Sequence, residues 1–367
     1  MQNFTRKTLT LAAGIMLSVM SANAQQIREG YVDFGSNTGS TQFHTLISNW
    51  APGKQVSADD NFFISRQKPR VRFRNVNTQV RQNLTETNDK KLIAWVPVNE
   101  PSFNALPDGV FDSEVFSMWS YVTHWGDWTS PLGRIPAAFI DVAHKNGVGV
   151  SGVASIPNAS LSNEWSSMLR GLASADVDNA AKFMRYYGID GLGYNSEFYG
   201  GASYMNGIRS FHTNLYKKMK PQDPLFENFW YDGTNDVGGV TFDQGLGNHN
   251  KKNFGAKDSE CFSLFLNYNW TSLLPKSVTF AENTLKRDPL DLYAGINMQG
   301  GQPANLPWNT LGSNRISIGL WGAHSNNMWW ESRAELGSSD DAKQEAYLER
   351  IERYFTGGTR NPANCPE

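Results

Sequence analysis

Eight short apolar runs, alternating with helix-patterned stretches over about 230 residues, constrain this chain more than any other feature. The runs are 92–97, 115–122, 148–153, 189–195, 225–231, 261–268, 292–296 and 316–321. Each is a continuous apolar stretch rather than a strict apolar/polar alternation, which suits parallel strands covered on both faces. Between several of them lie amphipathic patterns over 136–146, 176–187, 205–219 and 274–285, the first two ending at Gly147 and Gly188, residues suited to a helix stop. The stretch before Ile316 carries little helix signal. Strand and helix repeated eight times predict an α/β fold, a (β/α)8 TIM barrel with an N-terminal extension. The expected organisation is a leader over 1–24, a polar extension over 25–90 packing on the barrel, the barrel over 91–335, and a C-terminal helix and tail over 336–367, with the last helix at 340–354.

The leader reading rests on Arg6 and Lys7 before the apolar run 9–19, closed by Ala22-Asn23-Ala24. A charged start, a short apolar centre and small residues at the end form a secretory signal, and the run is too short to span a bilayer. The chain is therefore expected to be exported, periplasmic or secreted, without a membrane anchor and as a monomer. Export permits a disulfide, but the two cysteines, Cys261 and Cys365, read equally well as free thiols. Near-balanced charge, 33 Lys+Arg against 35 Asp+Glu, argues against nucleic acid as a partner. The six histidines form no metal-ligand spacing, and neither a Gly-x-Ser-x-Gly elbow nor a phosphate-binding loop occurs, so no metal or cofactor is implied. His144, beside a glycine stop, reads as a helix-end or packing residue, and Trp329 and Trp330 as packing. Aromatic residues are abundant, with 12 Trp, 13 Tyr and 21 Phe, and flat rings suit a carbohydrate cleft as well as a core.

In barrel enzymes, reactive groups sit where strands end on the C-terminal face. The fourth run ends Asn195-Ser196-Glu197, and strand alternation sends Asn195 and Glu197 to the same side. The fifth ends Trp230-Tyr231-Asp232 and the sixth Asn267-Tyr268-Asn269-Trp270. His124 and Trp125 follow the second. Most glycosidases need two carboxylates, whereas here one carboxyl, Glu197, stands beside a carboxamide, Asn195. That pairing makes sense if a 2-acetamido group of the substrate supplies the nucleophile. Its carbonyl oxygen attacks the anomeric carbon, the amide orients it, and Glu197 serves as acid and then base.

With these residues the sequence resembles glycoside hydrolase family 85, the endo-β-N-acetylglucosaminidases that cut the chitobiose core of N-glycans. The matching blocks occur in family order: Ala143-His144-Lys145-Asn146-Gly147-Val148, Asp190-Gly191, Asn195-Ser196-Glu197, Trp230-Tyr231-Asp232, Phe242-Asp243-Gln244, Leu266-Asn267-Tyr268-Asn269-Trp270 and Tyr293-Ala294-Gly295-Ile296-Asn297. The resemblance implies that Glu197 is the general acid/base, that Asn195 orients the acetamido group and that Tyr231 contacts it. It implies that Trp270 lines the glycan cleft and that Phe242 stands where relatives often carry tryptophan. Trp230, Asn267, Trp125 and His124 join these as candidate substrate contacts. N-linked glycans, of the high-mannose type first, are the expected partner. Three strand ends depart from the family pattern, Trp95-Val96-Pro97-Val98-Asn99 in place of a His-Asp-Met pattern, Thr123-His124-Trp125 in place of a Ser-His-His-like stretch and Gly193-Tyr194 in place of bulkier apolar residues. Two rivals remain at this point. One is a chitinase-like family 18 endoglycosidase, whose Asp-rich strand has the length of 190–197, and the other is a non-catalytic glycan-binding barrel.

Overall fold

The computed structural model describes residues 47, 50–53, 60–70, 90–96, 116, 119, 122–131, 135–155, 176–242, 245–298, 307–323 and 339. The leader at 1–24, Trp329, Trp330, the helix expected at 340–354 and Cys365 lie outside the described residues. Eight parallel strands close into a barrel in sequence order. They are β1 Leu92–Val96, β2 His124–Pro131, β3 Gly149–Ser155, β4 Gly191–Tyr194, β5 Glu227–Tyr231, β6 Ser263–Leu266, β7 Leu292–Asn297 and β8 Ser317–Trp321, with β8 pairing back onto β1. The helices are α1 Asp60–Phe63, α2 Ala137–Lys145, α3 Asp176–Tyr187, α4 Gly201–Met219, α5 Lys251–Phe254, α6 Leu274–Thr279 and α7 Trp308–Ser313. The expected (β/α)8 barrel is thus the observed fold. The pattern over 274–285 splits into α6 and a π-helical turn, Phe280–Leu285, that ends at the left-handed Lys286. Among the described residues, no helix is long and apolar enough to cross a membrane.

One strand sits elsewhere than expected. The run 115–122 was read as strand two, but β2 begins at His124. Phe116 and Trp119 instead pack, partly buried, against the apolar layer outside β1 and β2. β2 carries no continuous apolar run because its inward positions hold His124 and Gly126 and its outward face includes Asp127. The helix-poor stretch before Ile316 does contain a short helix, α7.

Strand alternation sorts the barrel interior into layers. At the N-terminal end, the Glu227 carboxylate accepts hydrogen bonds from the Lys91 ammonium at 2.6 Å, the Tyr293 hydroxyl at 2.9 Å and the Ser263 hydroxyl. Lys91 also reaches Asp291 at 2.8 Å, and Arg287 grips the other oxygen of Asp291 at 2.6 Å. Burial alone would raise both carboxyl pKa values, but Lys91, with His124 at Glu227 and Arg287 at Asp291, outweighs it and holds both below the ordinary carboxylate range. Above this cluster lie the rings of Trp95, Phe229 and Phe265. They are followed at the C-terminal end by Asn195, Tyr231 and Asn267.

Two outer contacts lock the approach to β4. Asp190 accepts from the His144 Nε2 at 2.8 Å and from the Val150 amide at 2.7 Å, while His144 Nδ1 faces the Gln67 carbonyl at 2.6 Å. Burial opposes a charged imidazole here, but Asp190 and the Gln67 carbonyl outweigh it and raise the His144 pKa. His144 is therefore a packing residue that ties α2 to β4. Trp50 lies edge-on to Phe183 at 5.5 Å and to Tyr186 at 5.3 Å, so residues N-terminal to β1 cover α3. Cys261 is buried, with its thiol 3.6 Å from the Arg209 carbonyl.

Removing the hub of the lower layer tests its weight. Glu227→Ala removes one of two carboxylates from the half-buried Lys91 and the acceptor of the Tyr293 and Ser263 hydroxyls, and it should lower the unfolding free energy by about 1–3 kcal/mol in denaturant titrations. Because both carboxyl pKa values are depressed, their stabilisation is complete above the unfolded value of about 4 and is lost as pH falls through the folded values. Wild-type stability measured at stepped pH should therefore hold through neutrality and fall only in acid.

Candidate active site

A cavity of about 270 Å³ opens at the C-terminal end of the barrel. Its polar lining includes Asn195, Glu197, Tyr231, Tyr268 and Asn297, set above Trp95, Phe229, Phe265 and Trp321. Asn195 and Glu197 follow the last residue of β4 and reach the same pocket. The Asn195 amide nitrogen stands 3.5 Å from a Glu197 carboxylate oxygen, a long contact that leaves room for adjustment around a bound group. Glu197 is exposed at the mouth, yet the surrounding protein removes enough water from its carboxyl to raise the pKa, and the Asn195 contact offsets that rise in part.

The β4 end is held from β5. The buried Ser196 hydroxyl donates to the Tyr231 carbonyl at 2.6 Å. The Thr234 hydroxyl accepts from the Phe198 amide at 3.0 Å and lies 2.8 Å and 2.9 Å from the carbonyls of Ser196 and Phe198, so it fastens the residues on both sides of Glu197. Gly233 makes this close approach possible, since a Cβ there would stand 2.6 Å from the Ser196 carbonyl oxygen. Tyr231 accepts a hydrogen bond from the Asn267 side chain at 2.7 Å, and its hydroxyl also bonds that of Tyr268. Burial, with Glu197 nearby, pushes the pKa of both phenols up, so they stay protonated.

The residues expected at the site divide into two groups. Asn195, Glu197 and Tyr231 meet in the pocket, Asn267 supports Tyr231, and Phe242 packs edge-on to Tyr231 at 6.1 Å. Phe242 has φ of 43°, a left-handed backbone uncommon for a bulky residue. The other four face elsewhere. Trp230 lies between the inward Phe229 and Tyr231, so alternation turns it outward, where its indole donates to the Thr234 carbonyl at 3.0 Å. Trp270 is buried and donates to the Gly295 carbonyl at 2.7 Å instead of lining a cleft. Trp125 points outward from β2 and stacks on Phe139 at 5.1 Å. His124 begins β2 at the opposite end of the barrel, 2.7 Å from the Leu225 carbonyl, and burial lowers its pKa.

Sequence reasoning missed Trp95, Phe229, Phe265, Tyr268, Asn297 and Trp321 in the lining. Stepping back by two from Tyr231 would have found Phe229, because period-two alternation fixes the inward face. Two buried acids, one on β2 and one just after β5, do not line the pocket. Asp232 is buried and accepts from Asn250 at 2.8 Å, and Asp127 is buried on the outward face of β2. Among the described residues, Glu197 is thus the one carboxylate lining the cavity, and no cluster suited to a metal ion occurs.

The sequence profile described as glycosyl hydrolase family 85 matches residues 99–365. The chain belongs to that family. Family 85 membership replaces the family 18 alternative raised by the strand at 190–197. Among solved structures, this family 85 chain is similar to the Endo-D glycoside hydrolase domain of Streptococcus pneumoniae, with a TM-score of 0.65 and 20% identity, covering 90% of this chain and 50% of that one. The chain thus spans about half the length of that structure. A chitinase from Bacteroides thetaiotaomicron matches with a TM-score of 0.37 and 11% identity over 57% of this chain and 67% of that one. The catalytic domain of a family 18 chitinase from the fern Peteris ryukyuensis matches at 0.35 and 12%, over 70% and 99%. A search of curated protein sequences found no match.

The Thr234 hydroxyl is the most exacting local contact of this frame. Thr234→Val removes the acceptor of the buried Phe198 amide and should lower unfolding free energy by about 1–3 kcal/mol, whereas Thr234→Ser should retain most of it. Denaturant unfolding of the two variants side by side checks this.

Proposed function

We propose that this family 85 chain is an endo-β-N-acetylglucosaminidase that hydrolyses the GlcNAc-β1,4-GlcNAc bond of N-linked glycans, with the substrate's own acetamido group as nucleophile. The observation that carries the reading is that, among the described residues, one carboxylate stands beside a carboxamide in a pocket otherwise lined largely by rings. A two-carboxylate glycosidase needs a second acid within about 5–9.5 Å of the first, across the scissile bond. Among the described residues, Asp190, Asp232 and Asp127 are buried and none of them lines the cavity.

In this mechanism the acetamido carbonyl oxygen attacks the anomeric carbon while the glycosidic C–O bond breaks. Glu197 gives its proton to the departing oxygen. Asn195 orients the acetamido group and stabilises the positive charge it develops. Tyr231 already accepts from Asn267 and Tyr268, so its own proton is left to donate to the same group. The resulting oxazolinium ion, which keeps the amide N–H proton, is opened by water, whose proton passes to the Glu197 carboxylate, and two inversions give net retention. High-mannose glycoproteins outside the cytoplasm are the proposed substrates, in keeping with the leader read at 1–24.

Incubating wild type with a high-mannose glycoprotein should release nearly the whole glycan and leave one GlcNAc on asparagine, as read by mass spectrometry. Glu197→Gln should lose about 10²- to 10⁴-fold in kcat, the usual worth of a positioned acid/base. Asn195→Ala should lose hydrolysis yet still consume a preformed oxazoline donor, and wild-type hydrolysis by this variant would defeat the assisted mechanism. Intact glycoprotein bound tightly by wild type would favour a glycan-binding barrel.

The pH dependence follows from the direction of the Glu197 shift. A raised carboxyl pKa keeps the acid form populated above its ordinary value of about 4.3. Activity should persist above that value and fall as pH rises through the raised pKa. The alkaline limb of kcat/KM should shift or disappear in Glu197→Gln on an activated substrate whose leaving group needs no proton.

A further inference from the structure

The floor of the pocket is set by a ring that occupies space taken from two other strands. A Cβ on Gly126 of β2 would stand 2.1 Å from the Trp95 indole, and one on Gly193 of β4 would stand 2.5 Å from it. Trp95 is 2% exposed and yet lines the cavity, with Phe229 edge-on at 5.6 Å beside it. A large side chain from β1 fills volume that side chains on β2 and β4 give up. Gly193 precedes Asn195 by two residues on the same inward face, which puts the indole beneath the amide. The neighbouring ring, Phe265, is seated in the same way, 2.3 Å and 2.6 Å from where Cβ atoms on Gly319 and Gly295 would be.

We propose that Trp95 sets the depth of the pocket below the reacting acetamido group and thereby restricts the substrate's N-acyl group to acetyl. The proposal rests on the assisted mechanism above, in which that group enters the pocket between Asn195 and Tyr231. Its carbonyl is held by these polar groups, and its methyl is directed toward the rings beneath. Each added methylene meets close-packed aromatic surface and is accommodated only by moving a ring. Trp95 is a specificity-determining residue and takes no part in proton transfer.

The test uses two synthetic glycopeptides that differ only in the acyl group, acetyl or butanoyl, on the GlcNAc whose bond is cut. Wild type should cleave the acetyl form with kcat/KM about 10- to 100-fold above the butanoyl form, the discrimination that one or two methylenes produce in an apolar pocket. Trp95→Leu, checked for folding by circular dichroism and thermal melting, should bring the ratio to within about threefold, chiefly by gaining rate on the butanoyl form. Equal cleavage of both forms by wild type overturns the proposal without any variant, as does a folded Trp95→Leu that keeps the wild-type ratio. If Trp95→Leu fails to fold, Trp95→Phe should lower the ratio in the same direction, and an unchanged ratio there also overturns it. Failure of wild type to cleave the acetyl form instead overturns the endoglycosidase reading itself, and the acyl proposal falls with it.

Discussion

The filling of the barrel interior is the constraint on which the rest of the structure depends. Eight strands enclose a space just large enough for side chains, so a ring admitted at one position must be offset by small residues at others. Trp95 has its offset in Gly126 and Gly193, and Phe265 has its in Gly295 and Gly319. These glycines need no unusual backbone. They are required because a Cβ would overlap a ring by more than any real contact tolerates. The same rings that close the core form the base on which a substrate would rest, so packing and pocket shape are one property of the barrel.

The chemistry of the site follows from what the rings exclude. An apolar floor leaves Glu197 partly stripped of water, which favours its protonated form, and Asn195 offsets this only through a long contact. Asn267 and Tyr268 occupy the Tyr231 hydroxyl as an acceptor, which fixes it as a donor toward the cavity. Ser196 and Thr234 hold the chain on either side of Glu197, so the acid is placed by buried backbone contacts while its carboxyl is exposed at the mouth of the cavity.

Seven of the eight strands were legible because their outward residues pack beneath helices and their inward residues are often aromatic, giving unbroken apolar runs. β2 was not legible, because Gly126 yields its inward space to Trp95 and Asp127 sits on its outward side. A strand whose core positions are filled by a neighbour carries no apolar signature of its own. The Asn195–Glu197 pair was legible from alternation through β4, although the chain turns just past the strand, where the Glu197 amide donates to the Asn195 carbonyl at 2.9 Å. The tryptophans were not, because an indole near a strand end serves a core as readily as a cleft. Trp230 is turned outward by that alternation, and Trp270 lies beyond the end of β6 where the chain has left strand geometry.

β5 shows how one short strand separates stability from chemistry. Glu227, Phe229 and Tyr231 occupy successive inward positions, about 6.6 Å apart along the strand. Glu227 anchors the ion cluster at one end, Tyr231 faces the cavity at the other, and Phe229 lies between them. Glu227 and Tyr231 are thus about 13 Å apart along the strand, and it is this distance that weakens the charges of Lys91, Glu227 and Asp291 at the pocket. The pKa of Glu197 is raised first by local burial and is lowered in part by the Asn195 contact. The acid strength of the site is therefore a property of its own rings and amide. The lower end of the barrel is left to hold the strands together with strong ionic contacts that need not be compatible with catalysis.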